Sequence, residues 1–156
     1  MSFPEALARP LIAGMFIYGG LDSLRRPSSK VPAAEDVVEP VKNATGMSTE
    51  QLVRVNGAVQ VVAGSALALG ILARPAALAL AASLVPTTLA GHRFWEADDR
   101  SKPQQTIHFL KNVSMFGGLL IAANSTGGRP SLPWRASRAV QRATESAGGA
   151  LERLHP

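Results

Sequence analysis

The chain has 156 residues, no cysteine, 16 Lys and Arg against 11 Asp and Glu, and a net charge of +5. The missing cysteine excludes disulfides, a CxxC redox pair and a thiolate metal site, so any redox chemistry must be borrowed from another molecule. The basic residues do not form one aromatic-interleaved stripe, which argues against a nucleic-acid partner.

Charge distribution points to a membrane. Between Val55 and Gly91 the only charged residue is Arg74, whereas a soluble surface helix of that length needs a polar face. The same stretch is dense in Gly and Ala, which suits close helix packing in lipid and leaves a soluble core little volume to bury. A soluble bundle is the competing fold. The expected class is all-α, an integral membrane four-helix bundle followed by an amphipathic tail helix.

A first span is expected at 3–24. Its uncharged centre, Pro10 to Leu21, is shorter than the roughly 20 residues a bilayer needs, so Arg9 must snorkel at one end and Asp22 must sit near the other. Pro4 and Glu5 precede the apolar run without a basic region, which argues for a retained helix rather than a cleaved signal. The stretch from Arg25 to Glu50 holds Pro27, Pro32 and Pro40 without helical or strand period and reads as an exposed connection.

The second span, 51–72, carries Gly57, Gly64 and Gly70. Gly64 and Ala68 lie four apart, so a neighbouring helix can approach closely there. Arg74-Pro75 marks a tight turn, because the residue before proline is pushed out of helical geometry. The third span, 75–91, then starts on that proline and is expected to kink at Pro86. The connection from His92 to Pro103 holds Phe94 and Trp95, which suit a headgroup belt. A fourth span is expected at 104–124, giving a transmembrane domain at 1–126.

The tail, 127–156, contains Arg135, Arg138 and Arg142 at helical spacing with Trp134 near the start. Such a helix would lie on an anionic leaflet or dock a partner, and a solvated, partly disordered tail is the alternative. An even number of spans puts the termini on one side. The basic tail tips that side to the cytoplasm.

This topology brings Asp22, Arg54, Asn56, Gln60, Thr87, Thr88, His92, His108, Lys111 and Asn112 into one leaflet, the outer one in that orientation. Polar groups at membrane depth are costly, so each is a functional candidate. Gln60, His92, His108, Lys111 and Asn112 are the candidate ligand-binding residues, and Asp22 with Lys111 is a candidate intramembrane ion pair. Each has a plainer role: Asn56, Gln60 and Asn112 as interhelical hydrogen-bond glue, Arg54 and Lys111 as snorkelling cations. Two histidines without a third ligand make a poor metal site, so no metal is assigned. No Ser-His-Asp spacing, phosphate loop or HExxH is present, and no catalytic residue is assigned.

The stretch His108-Phe109-Leu110-Lys111-Asn112-Val113-Ser114-Met115-Phe116-Gly117-Gly118-Leu119-Leu120 resembles the last helix of DoxX-family membrane proteins. Asn56-Gly57 through Gly64 to Gly70 is similar to that family's second helix, and Phe16 to Gly20 to its first. The resemblance covers roughly residues 5–124 and implies a four-helix membrane bundle. It also implies association with quinone-linked thiosulfate oxidation or with membrane assemblies that handle thiol and oxidative stress. Gln60 stands where members often carry an acidic residue, a departure that weakens proton-coupled chemistry. Arginine outnumbers lysine and alanine is abundant, as in products of bacterial genomes rich in G and C. The resulting expectation is a multi-pass protein of the bacterial plasma membrane, a non-catalytic accessory or scaffold subunit with membrane or soluble redox partners and a possible homo-oligomer. The alternative is a quinone-reactive oxidoreductase subunit or small-molecule carrier, with quinone as the cofactor.

Overall fold

A computed structural model describes residues 3–125 together with 137, 138, 141 and 144 of the tail. The described part is all-helical, and Ser2–Ser125 form one compact unit. Among the described residues there are five α-helices: α1 Phe3–Arg25, α2 Val31–Thr45, α3 Thr49–Leu69, α4 Ala73–Gly91 and α5 Lys102–Asn124, with a short 3₁₀ turn at Pro27–Lys30. Helices α3, α4 and α5 are each long and apolar enough to cross a membrane. Helix α1 has the length, but charged residues stand near both of its ends.

The four long helices meet in an apolar core. Ala13 and Phe16 come from α1, Ala63 and Leu67 from α3, Ala77, Leu80 and Leu84 from α4, and Leu119 and Ala123 from α5. Leu67, Leu80 and Leu119 are fully buried. Helices α1 and α3 make the closest pair and run antiparallel, with Gly20 against Gly57 and Ala13 and Ile17 against Gly64. A Cβ added to Gly20 would stand 2.6 Å from the Gly57 carbonyl oxygen. The absent side chains therefore set the separation of these two backbones. Close approach was expected at Gly64 and Ala68; it falls at Gly57 and Gly64, seven residues apart.

Two expectations are corrected. The connection before the second span is not without period: α2 is a 15-residue helix. Pro32 lies in its first turn, where a missing N–H costs nothing, and Gly46 ends it in the left-handed region at φ 71°. Ala34 is buried, Val31, Glu35, Val37, Val38 and Lys42 are half-buried, and Asp36, Glu39 and Asn43 are exposed. Helix α2 packs on α3 and α4. Ser48 then opens α3 with a capping box, accepting from the Gln51 N–H at 3.2 Å while Gln51 Oε1 accepts from the Ser48 N–H at 2.8 Å.

The second correction concerns the α3–α4 turn, which precedes Arg74-Pro75. Gly70 and Leu72 both adopt positive φ, at 71° and 47°, and α4 already starts at Ala73. Pro75 fits inside the first helical turn because an N–H there has no intrahelical acceptor. Arg74 reaches across to α5, its Nε donating to the Ala123 carbonyl at 2.8 Å. That bond satisfies one of the carbonyls a helix leaves unpaired at its C-terminus.

Within the tail, Ser137, Arg138, Gln141 and Thr144 are helical and exposed. Trp134, Arg135 and Arg142, the other candidate docking residues, lie outside the described residues.

Candidate functional site

The polar residues gather at the end of the bundle where α1 ends, α3 begins, α4 ends and α5 begins. Thr87 is the centre of the first group. Its Oγ1 accepts from Asn56 Nδ2 at 3.0 Å and Gln60 Nε2 at 3.2 Å, and donates to the Ser83 carbonyl at 2.8 Å. One turn of α3 carries both amides to the same hydroxyl, because residues four apart share a helix face. Gln60 is 5% exposed and packs against Gly20 of α1.

Thr88 is the centre of the second group. Its Oγ1 accepts from Asn112 Nδ2 at 3.0 Å and donates to the Leu84 carbonyl at 2.7 Å. Both residues are buried. Ser83, Thr87 and Thr88 thus all turn their hydroxyls onto carbonyls of α4 around Pro86, while the two threonines accept from other helices.

The histidines form a third group at the water end. His92 and His108 stack with ring centroids 5.0 Å apart and planes at 24°. His92 Nδ1 lies 2.9 Å from Gln105 Oε1. The amide oxygen only accepts, so with this amide orientation His92 carries its proton on Nδ1. Beside them Phe94, Trp95 and Phe109 pack edge to face at 5.2–6.0 Å. No group of three metal-ligating side chains occurs among the described residues.

The five candidate ligand residues therefore divide. Gln60 and Asn112 are drawn to adjacent threonines on α4, His92 and His108 to one another, and Lys111 is half-buried on α5. Of the five, Asn112 lines the groove between α4 and α5. That groove is apolar, about 180 Å³, and is bounded by Leu84, Val85, Thr88 and Leu89 on one helix and Phe109, Asn112, Val113 and Phe116 on the other. The Asp22–Lys111 ion pair does not form: Asp22 pairs with Lys30 at 2.7 Å. Lys30 sits in the turn that follows α1, whereas Lys111 is on the helix that α1 touches only lightly. Thr87 and Thr88, expected among the polar residues of this leaflet but not among the five candidate ligand residues, anchor the first two clusters, and Gln105, in the first turn of α5, meets His92 in the third.

Helix α2 caps this end. Glu35 accepts from Lys42 Nζ and from Thr49 Oγ1 at 2.5 Å, which ties α2 to the first turn of α3. The Lys42 ammonium first, and the Thr49 hydroxyl second, hold its carboxyl below the ordinary glutamate range. Arg93, just past α4, bonds Asp36 of α2 at 3.5 Å and Glu96 at 3.2 Å. In the α4–α5 connection, Asp98 accepts from the Ser101 N–H and Oγ at 2.8 Å and from the Arg100 N–H at 3.1 Å. Those bonds, the Ser101 N–H first, lower its pKa.

Such a helical bundle, with three spans long and apolar enough for a bilayer and its bonds between side chains of α3, α4 and α5 gathered toward one end, is a membrane protein. Residues 5–93 match the DoxX family model, more than half of the chain, and the chain belongs to the DoxX family. The match ends at Arg93, so the 108–120 stretch on which the resemblance chiefly rested lies beyond it. No curated protein and no solved structure gave a match.

Proposed function

We propose that the protein is an accessory or scaffold subunit of a membrane-associated redox or oxidative-stress assembly in the bacterial plasma membrane, with both termini cytoplasmic. The observation that carries this reading is the closure of the polar cluster. No buried side-chain N or O among the described residues lacks a hydrogen-bond partner, and the bonds of Asn56, Gln60 and Asn112 join helices to each other. Polar groups spent in this way fix helix positions, the role expected of a scaffold. Family membership supplies the redox context, as an implication of the resemblance.

A quinone-reactive subunit or carrier would need Gln60, His92, His108, Lys111 and Asn112 to share one cavity, and the placement above gives that reading less support. Affinity capture from native membranes tests the proposal: a reproducible oxidoreductase partner supports it, and recovery of the chain alone counts against it. Orientation has its own test, since the natural chain has no cysteine. Asp99→Cys, in the α4–α5 connection, should react with an impermeant maleimide added outside intact cells.

A further inference from the structure

The groove between α4 and α5 has no part in the reading above. Its walls are Leu84, Val85 and Leu89 on one side and Phe109, Val113 and Phe116 on the other. Thr88 and Asn112 also line it, but the Thr88 hydroxyl and the Asn112 amide nitrogen are engaged with each other and with the Leu84 carbonyl. A polar ligand would gain little there, so the chemistry that fits is hydrocarbon. Both helices are long and apolar enough to cross a membrane, which makes acyl chain the surrounding solvent.

The end of the groove toward the α4–α5 connection is built differently. Helical spacing carries the α5 wall from Phe116 through Val113 and Phe109 to Gln105 and Lys102, and the α4 wall from Leu84 through Thr88 to His92. There the His92–Gln105 contact at 2.9 Å bridges the two helices. Phe109 packs against Phe94 and Trp95, aromatic rings of the kind that sit at headgroup level. Lys102 is exposed and has no ion-pair partner among the described residues. From the slot outward the order is hydrocarbon, aromatic ring, hydrogen-bonding pair, cation. A phospholipid presents the complementary order from acyl chain to phosphate.

We propose that the α4–α5 groove is a binding site for one anionic phospholipid, its acyl chain between Leu84 and Val113 and its phosphate at Lys102 beside the His92–Gln105 bridge. This site depends on membrane insertion and not on the redox assembly, so it stands or falls separately from that reading. Native mass spectrometry of the full chain, released from micelles containing phosphatidylglycerol and phosphatidylcholine in equal amounts, is the test. The wild type should retain one phosphatidylglycerol. Val113→Trp, at a half-exposed position, fills the slot and should abolish retention while helix content is unchanged.

Lys102→Gln should keep a lipid but reduce the preference for phosphatidylglycerol about fivefold, the effect of one basic residue at an anionic surface. Should Val113→Trp fail to fold, the headgroup preference of Lys102→Gln decides alone. Equal retention of both headgroups by the wild type would overturn the proposal. So would undiminished retention by folded Val113→Trp, or displacement of the phospholipid by an isoprenoid benzoquinone.

Discussion

Gly20→Ala should unfold the bundle at a lower temperature than Gly14→Ala on the same helix. A Cβ at Gly20 would meet the Gly57 carbonyl oxygen at 2.6 Å, Val61 Cγ2 at 2.9 Å and Gln60 Cβ at 3.0 Å. Ordinary contact begins at 3.4 Å, so α1 and α3 must part locally by roughly 0.8 Å, a gap that forfeits a quarter to a half of each dispersion contact it opens. Val61 Cγ2 can rotate away, but the Gly57 oxygen is backbone and cannot. Overpacking of this kind costs about 1–3 kcal/mol. Gly14 has nothing within 4 Å of the added atom, and alanine there gains about 0.5–1 kcal/mol of helix preference. The two melting temperatures should differ on the order of 10 °C, measured by circular dichroism in one detergent. Equal melting would refute the backbone contact between α1 and α3.

Thr87→Val removes the oxygen that accepts from Asn56 and Gln60. At about 0.6 kcal/mol and up to about 1.7 per interhelical bond, its unfolding midpoint in detergent should fall while that of Thr87→Ser stays close to wild type. Glu35→Gln tests the α2 anchor by pH. The folded-state pKa of Glu35 is depressed, so its contribution is present above the ordinary value of 4.5 and is lost as pH falls through the lower folded value. The stability gap between wild type and variant should therefore close on acidification below that value; a constant gap would mean that the carboxylate is not engaged. Arg74→Met removes the donor to the Ala123 carbonyl, a bond worth about 1.5–3 kcal/mol because it is charge-assisted. Hydrogen exchange in the last turn of α5 should rise roughly tenfold or more.

Most of the bundle was legible because one charge in a long apolar stretch leaves few alternatives. The α3 and α4 spans and their hairpin follow from Val55 to Gly91, and the expected gathering of polar residues at one end is found in the Thr87, Thr88 and His92 groups. Helix α2 was hidden by its three flanking and internal prolines. Its signal was present in Val31, Ala34, Val38 and Val41, in the Gly46 stop, and in the Ser48–Gln51 capping box that forces a new helix start. The chain turn was placed at Arg74-Pro75 because proline restricts its predecessor; Gly70 and Leu72 in the left-handed region make the turn earlier, and Pro75 only decorates the first turn of α4. The Asp22–Lys111 pair failed for a reason outside periodicity. A local lysine, Lys30, reaches the carboxylate without crossing the bundle.

The placement of α5 follows from the chemistry of its three ties to α4 and the hairpin. Asn112 bonds Thr88 at mid-helix, Gln105 meets His92 at one end, and Ala123 accepts from Arg74 at the other. Toward α1 it has the contact of Gly118 with Ile12 and the bond from Ser125 to Glu5. Helix α1 is instead locked to α3 through glycine backbones, where contact is dispersion and tolerates no added atom. The bundle thus holds one helix by close packing and another by directional bonds. Directional bonds at three levels fix the rotation of α5 and direct Ile107, Leu110, Val113 and Ile121 outward, so this exposed apolar face has a defined orientation toward lipid or a neighbouring subunit. Loss of Asn112 or Thr88 should free that rotation without removing apolar area, which separates the role of the polar residues as positional locks from a role in stability alone.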